Sequence, residues 1–177
     1  MYYTDTLISE YTDPTLRTAF RQYFAELGCH VTNWAGLFAG MDDAHREHTW
    51  TQRNETGRIT AFSAWMNEDA RNFAWVRRNE SGNVVAFIQF TIMDMGSWFF
   101  RAKCGFIREF WVTEPLRRHG HGGELLQKAE EWLGAQECVC ILLTTDTAPG
   151  FYRRHGYSQY KGIEARNTEP VFAKILK

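Results

Sequence analysis

A glycine-rich loop between a strand pattern and an amphipathic helix pattern constrains this chain more than any other feature. The loop reads TEPLRRHGHGGELL. Three glycines lie where it turns into the helix: Gly120, Gly122 and Gly123. Without side chains, consecutive backbone N–H groups at the positive end of a helix dipole can approach an anion closely. Four residues add positive charge nearby: Arg117, Arg118, His119 and, when protonated, His121. The pattern predicts a pyrophosphate site.

The glycines also have a simpler explanation, since they permit any tight turn from strand to helix. Two common phosphate-binding patterns do not fit this loop. It lacks the GK[ST] ending of a P-loop, and its third glycine is displaced from the dinucleotide-binding fingerprint. A plain turn and an anion-binding loop of another kind therefore both remain open at this point.

The segments on either side of the loop predict a βαβ crossover. FIREFWV, residues 106–112, is typical of a strand. In GELLQKAEEWLG the apolar residues recur at helical spacing until Gly134. CVCILLTT, residues 138–145, is a near-continuous apolar run, as expected of a parallel strand covered on both faces.

The remaining patterns complete a mixed α/β order. Residues 73–78 and 84–93 predict an antiparallel hairpin with Gly82 in its turn. DPTLRTAFRQYFAELG predicts a helix that begins after Asp13 and stops at Gly28. The other predicted elements are a strand at 2–9, a second helix over 34–48, a short helix at 148–155, a strand from Tyr157 and a last strand in VFAKIL.

Composition limits the class of partner. The 177 residues include 20 Lys and Arg against 21 Asp and Glu, so no global basic surface is available for a nucleic-acid backbone. No apolar run approaches the ~20 residues of a membrane span, and the first ten residues carry acidic groups where a secretory signal carries basic ones. We expect one cytoplasmic domain over residues 1–177 that binds neither nucleic acid nor a membrane.

Neither the cysteines nor the histidines predict a disulfide framework or a metal site. The cysteines, at 29, 104, 138 and 140, have no framework spacing. Cys138 and Cys140 are two residues apart on a predicted strand, which places both on one face as small buried residues. His45 and His48 are three apart on the predicted second helix but lack a further ligand at a recognisable spacing, so we expect no metal.

The loop closely resembles the acyl-CoA-binding motif of the GCN5-related N-acetyltransferases, which reads Arg or Gln, two residues, Gly, one residue, then Gly or Ala. Here the motif runs from Arg117 to Gly122. EFWVTEPLRR resembles the family's strand leading into the loop. APGFYRRHGY is similar to a later helix with a Phe-Tyr pair and a Gly-aromatic ending. The resemblance covers residues 106–157 and identifies the chain as a member of this family.

This resemblance implies the family's fold, a mixed sheet flanked by helices and splayed between residues 106–112 and 138–145. It implies acetyl-CoA as cosubstrate, with the pantetheine arm in the gap and the pyrophosphate on the loop amides. The implied cofactor-binding residues are Val112, Arg117, Arg118, His119, Gly120, His121, Gly122, Gly123 and Thr145. The Val112 backbone would help polarise the thioester carbonyl. Thr145 stands where the family often has Asn, so its hydroxyl weakens or replaces that contact.

Acyl transfer to an amine requires a neutral amine and a protonated leaving group. An alkyl amine with a pKa of about 10.4 is mostly ammonium at pH 7, so a base is useful. By resemblance, Glu109 is the candidate base, and Tyr152, in the Phe-Tyr pair, is the candidate acid. Each has a structural alternative. Glu109 can pair with Arg108 or Arg101, and Tyr152 can pack in the core or against CoA.

Residues 1–70 are predicted to form a helical region on the acceptor side. The candidate acceptor-binding residues there are Asp42, Asp43, Glu47, Glu68, Asp69, Trp34, Trp50 and Trp65. They suit a cationic, partly apolar amine, although a solvated acidic helix face explains the charges as well. Residues 73–157 then form the hairpin and acyl-CoA-binding core, and residues 158–177 the C-terminal strands.

The predicted function is acetyl-CoA-dependent N-acetylation of a primary amine on a small molecule. Transfer is predicted to be direct, because no cysteine or serine has a nucleophile's surroundings. Protein N-termini and lysines are alternative acceptors. Alternatives from other classes are a non-catalytic CoA-binding or sensing module and a nucleotide-binding protein unrelated to CoA. The oligomeric state stays open, with a homodimer as one alternative.

Overall fold

A seven-stranded mixed sheet forms the centre of the computed structural model, which describes residues 2–42, 49–53, 59–63, 71–94 and 102–176. In chain order the elements are β1 (Thr4–Ile8), α1 (Pro14–Glu26), α2 (Trp34–Asp42), β2 (Thr49–Arg53), β3 (Ile59–Ser63), β4 (Asn72–Arg78), β5 (Val84–Asp94), β6 (Lys103–Val112), α3 (His121–Ala135), β7 (Cys138–Thr144), α4 (Pro149–Arg154), β8 (Ser158–Gln159) and β9 (Val171–Ile175). The sheet order is β1-β4-β5-β6-β7-β9-β8, and β2 pairs with β3 in a separate sheet. The predicted mixed α/β fold is confirmed.

Local signals begin and end several elements as predicted. The Asp13 carboxylate accepts hydrogen bonds from the backbone N–H groups of Thr15 (2.7 Å) and Leu16 (3.4 Å), which begins α1. Gly28 follows that helix with a φ of 67°, and Gly82 has a φ of 77° in the turn between β4 and β5. Both glycines occupy the left-handed region that disfavours other residues.

The sheet splays between β6 and β7, the parallel pair that flanks the glycine-rich loop. Their pairing ends where Ile107 lies beside Leu143. β6 continues to Val112 with β5 still paired along its other edge. β7 ends at Thr144. Among the described strands, none pairs with the β7-side edge of β6 over residues 108–112, so a gap opens at the predicted place.

A β-bulge at Arg108 marks the start of this gap. Across β5 and β6, Gln89 pairs with Glu109 and Phe90 pairs with Ile107, so Arg108 is an extra residue on β6. Side chains alternate between the two faces of a strand, and one extra residue shifts that alternation. As a result Ile107 packs in the core beneath α3, whereas Glu109 contacts α1 on the opposite face.

Each face of the sheet carries its own apolar core. Beneath α3, Leu126 and Leu133 pack on Phe90 of the sheet, and all three are buried. Beneath α1 and α2, the ring of Phe20 stacks on that of Phe87 with 4.2 Å between centroids. The gap between β6 and β7 therefore opens in a sheet that is anchored on both sides by buried side chains.

The N-terminal region differs from the prediction of a helical segment over residues 1–70. β2 and β3 lie within it as an antiparallel pair. Their sequences, TWTQR and ITAFS, contain the strand-forming residue types Thr, Trp, Ile and Phe, a signal that the prediction of a helical region overlooked. The helix predicted over 34–48 ends at Asp42, and its last six residues lie outside the described part of the chain.

Cys138 and Cys140 do not share one environment, contrary to the prediction. Between them the β6–β7 register shifts from the pair Lys103–Cys138 to the pair Cys104–Cys140, so Val139 is an extra residue. Cys138 is buried in the core beneath α3, whereas Cys140 is only partly buried. None of the four cysteines forms a disulfide.

Gly105→Ala tests how closely α3 approaches the sheet. A Cβ at Gly105 would lie 2.5 Å from Cδ1 of the buried Leu133. We expect the free energy of unfolding to fall by about 1–3 kcal/mol. Gly134→Ala, on α3 itself, is the matched control. Its Cβ would meet no atom within 4 Å, so stability should rise by up to about 1 kcal/mol. Urea denaturation measures both, and equal effects would contradict the close packing.

Candidate active site

The turn before α3 leaves backbone amides without a capping side chain. Arg118 and Gly120 adopt left-handed conformations, with φ of 64° and 92°. Gly120 is the N-cap residue and has no side chain with which to cap the helix. The amides of His121, Gly122 and Gly123 then lie at the positive end of the α3 dipole. This geometry fits the predicted pyrophosphate site.

Gly123 also allows α4 to pack closely against α3, whereas a Cβ at Gly122 would make only ordinary contact with α4. A Cβ at Gly123 would lie 2.9 Å from Nε2 of His155, and one at Gly122 would lie 3.5 Å from the Phe151 ring. The position that a side chain would occupy at each glycine therefore faces α4, whereas the backbone amides belong to the first turn of α3. The two interpretations of the glycines, helix packing and anion binding, are compatible in this arrangement.

The end of β6 directs a backbone N–H into the gap. Thr113 N–H donates to the Val85 carbonyl at 2.9 Å. Because the residues of an antiparallel ladder alternate, the N–H and C=O of Val112 point away from β5. Arg117 Nε donates to that carbonyl at 2.8 Å. The Val112 N–H is thus directed to the side where the resemblance places the pantetheine.

The Arg117 side chain ties the loop to α1. Its Nη2 pairs with Glu26, and the same carboxylate oxygen accepts a hydrogen bond from Trp111 Nε1 at 3.0 Å. The guanidinium is used within the protein in this structure, so a contact between Arg117 and a phosphate stays a prediction. In the structure, Arg117 holds the glycine-rich loop against α1, the helix that also contacts Glu109.

The other basic residues of the loop differ in exposure and charge. Arg118 and His119 are exposed beside the first turn of α3. His121 is partly buried, and its Nδ1 lies 2.8 Å from Nη1 of Arg77. Burial, and then the charge of Arg77, lower the pKa of His121. His121 is therefore neutral at pH 7, which corrects the expected contribution of its protonated form.

The hydroxyl of Thr145 holds the turn that leads into α4. Thr145 is buried, and its Oγ1 accepts a hydrogen bond from Ala148 N–H at 3.0 Å. Its own N–H donates to the Pro170 carbonyl at 3.1 Å. The hydroxyl keeps its proton for a further bond, so the predicted pantetheine contact stays a prediction. The observed role is to set the start of the helix that carries Tyr152.

Glu109 is a buried carboxylate with a raised pKa. Its side chain is 4% exposed, and Oε2 accepts a hydrogen bond from the Tyr23 hydroxyl at 2.6 Å. Burial raises its pKa from 4.5 to about 7, although the Tyr23 bond and the charge of Arg108 act in the opposite direction. A carboxyl group that titrates near neutral pH can accept a proton and release it again at physiological pH.

The structure only partly supports an ion pair between Glu109 and an arginine, which is the structural alternative to a catalytic role. Arg108 Nη1 donates to Asn72 Oδ1 at 2.9 Å, while the carboxylate of Glu109 bonds to Tyr23. Arg108 nevertheless influences the pKa of Glu109 through its charge. Arg101 lies outside the described residues.

Tyr152 is buried on α4 within electrostatic range of Glu109. Burial raises the pKa of its phenol, and the negative charge of Glu109 raises it further. The ring contacts Tyr157 edge to face, with 5.6 Å between centroids. The phenol therefore keeps its proton at neutral pH and is available as a donor. Glu109 can thus accept a proton near neutral pH, and Tyr152 carries a proton that it can donate.

Two further polar residues beside Glu109 escaped the sequence analysis. Tyr23 lies 86 residues from Glu109 in the chain. The helical pattern of α1 places Tyr23 at a partly buried position but does not indicate a contact with Glu109. Gln89 pairs with Glu109 across the strands and is 1% exposed. Among the described residues its Nε2 has no hydrogen-bond partner. A buried donor of this kind beside the candidate base can bind a polar group of a substrate.

Three of the predicted acceptor-side residues, Trp34, Asp42 and Trp50, lie in the part of the chain that the structure describes. The Trp34 ring packs against Phe24 and Phe38 in the core beneath α1. Trp50 lies on β2 and Asp42 ends α2. The remainder, Asp43, Glu47, Trp65, Glu68 and Asp69, lie outside the described residues, as do His45 and His48.

The described residues contain neither a cluster suited to a metal ion nor a helix suited to a membrane. Over residues 2–42, 49–53, 59–63, 71–94 and 102–176, no group of three or more His, Cys, Asp or Glu side chains is placed to hold a metal ion. In the same ranges no helix has the length and apolar character needed to cross a membrane.

Splayed strands, a loop of first-turn amides and a buried carboxyl group lie together at the gap, in the arrangement that the resemblance implied. The chain belongs to the GNAT acetyltransferase family, whose model matches residues 34–157. This match includes β4 to β7, α3 and α4. A search of the curated proteins finds no match.

Solved structures share the fold at low sequence identity. A GNAT-family acetyltransferase from Staphylococcus aureus Mu50 has a TM-score of 0.62 at 14% identity, covering 98% of this chain and 100% of that chain. N-acetylglutamate synthase from Neisseria gonorrhoeae, complexed with coenzyme A and N-acetylglutamate, has a TM-score of 0.62 at 10% identity, covering 98% of this chain and 35% of that chain. Arabidopsis thaliana NAA60, complexed with a bisubstrate analogue, has a TM-score of 0.59 at 11% identity, covering 98% and 100%.

We expect Glu109 to titrate near pH 7 in the protein without substrate. Carboxyl-labelled NMR, assigned with Glu109→Gln, should give a midpoint of about 7. Tyr23→Phe removes a hydrogen bond that lowers this pKa, so the midpoint should rise by about one pH unit for a bond worth ~1.4 kcal/mol. Tyr160→Phe, at an exposed tyrosine, is the matched control and should change nothing. A wild-type midpoint near the ordinary 4.5 would contradict the buried site.

Proposed function

We propose that this protein is an acetyl-CoA-dependent N-acetyltransferase that transfers an acetyl group directly to a primary amine of a small molecule. The observation that carries this proposal is the pair of buried groups beside the gap: Glu109, with a pKa of about 7, and Tyr152, with a raised pKa. Neighbouring residues of one strand and one helix thus supply both proton-transfer roles of the reaction.

The residues around the gap fit acyl-CoA. First-turn amides of α3 suit a pyrophosphate, and the Val112 N–H points to the side where the thioester would lie. When bound, acetyl-CoA supplies an activated acetyl group on sulfur. In support, the Neisseria relative of the same fold was solved with coenzyme A. The exposed Arg118 and His119 side chains lie beside the amides, and the Arg118 guanidinium adds favourable charge.

Glu109 removes the proton that makes the amine unreactive. An ammonium group with a pKa of about 10.4 must lose its proton before its nitrogen can form a bond to carbon. The Tyr23 hydroxyl occupies Oε2 of Glu109, so we assign proton acceptance to Oε1, directly or through one water. The donor Nε2 of Gln89 lies on the strand beside Glu109 and can hold an oxygen of the acceptor.

Tyr152 returns a proton to the departing sulfur as the carbon–sulfur bond breaks. Its raised pKa keeps the phenol protonated at neutral pH. The ammonium nitrogen loses two protons in forming the amide. Glu109 takes the first, and the second returns to the Tyr152 phenolate once the phenol has protonated the sulfur. Glu109 then releases its proton to solvent, so the reaction frees one proton and leaves the protein unchanged.

Direct transfer is favoured over an acyl-enzyme. Burial, and then the neighbouring thiol of Cys140, raise the pKa of Cys104 to about 12. Burial also raises the pKa of Cys138. Protonated thiols are poor nucleophiles, and these cysteines lie on the paired part of β6 and β7 rather than at the gap. Cysteines that form no disulfide suit the reducing cytoplasm, where we place this activity.

The test is the pH dependence of acetyl transfer in variants. Wild-type kcat/KM should rise with pH through about 7 as Glu109 ionises. Glu109→Gln should lower kcat by about 10²–10⁴ near pH 7 and recover partly at high pH, where more amine is already neutral. Tyr152→Phe should lose about 10² while acetyl-CoA affinity stays the same, since the ring remains. Mass spectrometry of products from a panel of primary amines measures the rates.

Glu114→Gln, at an exposed carboxylate of the same loop region, is the matched control and should keep the wild-type profile. An unchanged profile in Glu109→Gln would return Glu109 to a structural role. Acetyl-CoA binding with no product from any amine would favour the sensing module, and acetylation of peptides alone would favour a protein acceptor.

A further inference from the structure

A buried arginine lies beneath the first turn of α3, on β4. Arg77 is 5% exposed, and nothing in the reaction described above uses it. Its Nε and Nη2 donate to the two carboxylate oxygens of Asp5, each at 2.8 Å. Its Nη1 donates to Glu124 Oε2 at 2.6 Å and lies 2.8 Å from Nδ1 of His121. Both of these last residues belong to the first turn of α3.

The Asp5 side holds the guanidinium in place. Burial raises the pKa of Asp5, but bonds to Arg77 and Lys128 lower it more, so the carboxylate is ionised. Lys128 Nζ lies 3.3 Å from Asp5 Oδ2. The bidentate pair fixes the plane of the Arg77 guanidinium and points its Nη1 at α3. The Arg77 guanidinium is therefore held in a fixed position from which Nη1 contacts the first turn of α3.

Glu124 creates a problem for an anion site. It is an acidic side chain in the first turn of α3, where the helix dipole favours negative charge. Its Oε1 lies 3.9 Å from the position that a Cβ on Gly120 would occupy. Left unpaired, this carboxylate would repel a phosphate at the same amides or take its place there. Arg77 cancels that charge from the side of the sheet.

His121 is held by the same guanidinium. Because Nη1 of Arg77 is a donor, Nδ1 of the neutral His121 ring is the acceptor and Nε2 carries the proton. The ring also packs edge to face against Tyr3, with 4.9 Å between centroids. His121 thus has a second contact, with Tyr3, besides the one with Arg77.

We propose that Arg77 is a positioning residue for the phosphates of acyl-CoA. By pairing with Glu124, it keeps the first-turn amides of α3 clear of the Glu124 carboxylate. This inference rests on the proposed use of acyl-CoA. It assigns the effect of Arg77 to Glu124, so it predicts that removing Glu124 repairs the loss of Arg77. A purely structural role for Arg77 predicts no such repair.

The experiment is calorimetric titration of CoA into four proteins: wild type, Arg77→Met, Glu124→Gln and the double variant. Arg77→Met should raise the Kd at least about 10-fold, equal to 1.4 kcal/mol. Glu124→Gln alone should change the Kd less than about threefold, because Arg77 already cancels that charge. The double variant should return to within about threefold of wild type, while its melting temperature stays as low as that of Arg77→Met.

Lys128→Met is the matched control. It removes a positive charge that also contacts Asp5 but lies beyond the first turn of α3. Its CoA affinity should stay within about twofold of wild type. Arg77→Lys keeps the charge opposite Asp5 but lacks the fork that reaches Glu124. Arg77→Lys should lose less CoA affinity than Arg77→Met, and Glu124→Gln should restore that affinity in the same way. If Arg77→Met does not fold, Arg77→Lys replaces it in the experiment.

Two results would overturn the inference. One is equal CoA affinity in wild type and in the folded Arg77 variants. The other is a loss of affinity that Glu124→Gln does not repair, which would make the role of Arg77 structural only. If wild type itself binds no CoA, the proposed function fails and this inference fails with it. These outcomes are distinguishable because the first two require CoA binding by wild type.

Discussion

The single extra residue at Arg108 is the constraint on which the rest of the site depends. It interrupts the alternation of β6 at the point where β7 stops pairing with it. Without the bulge, Glu109 would point to the same face as Ile107, into the apolar core beneath α3. With it, the carboxylate lies under α1 beside the open edge of β6. One local irregularity thus opens the gap and places a titratable group at its side.

Helix α1 connects Glu109, the candidate base, to the glycine-rich loop. Tyr23 bonds to Glu109, and one turn further on Glu26 bonds to Trp111 and Arg117. Since buried polar groups are costly when unpaired, these bonds also hold α1 at a fixed position on the sheet. Displacement of α1 would therefore change the pKa of the base and the position of the loop together.

The parts of the fold that depend on local signals could be predicted from the sequence. The turn at the glycine loop, the hairpin around Gly82 and the amphipathic α3 each depend on residues that lie within a short window of the sequence. The bulge at Arg108 could not be predicted, because FIREFWV reads as an uninterrupted strand. Tyr23 and Arg77 act through contacts 86 and 72 residues away in sequence, where no local pattern exists. The roles of Glu109 and Tyr152 came from resemblance, and the structure adds their burial and pKa shifts.

The most direct test of the account is a crystal structure of the protein with CoA bound. The account predicts the pyrophosphate on the first-turn amides of α3, the pantetheine between β6 and β7, and the sulfur about 3–4 Å from the Tyr152 hydroxyl. It also predicts that Glu109 remains bonded to Tyr23 on the α1 side of the gap. CoA bound away from the gap, or a sulfur beyond the reach of the Tyr152 hydroxyl, would contradict it.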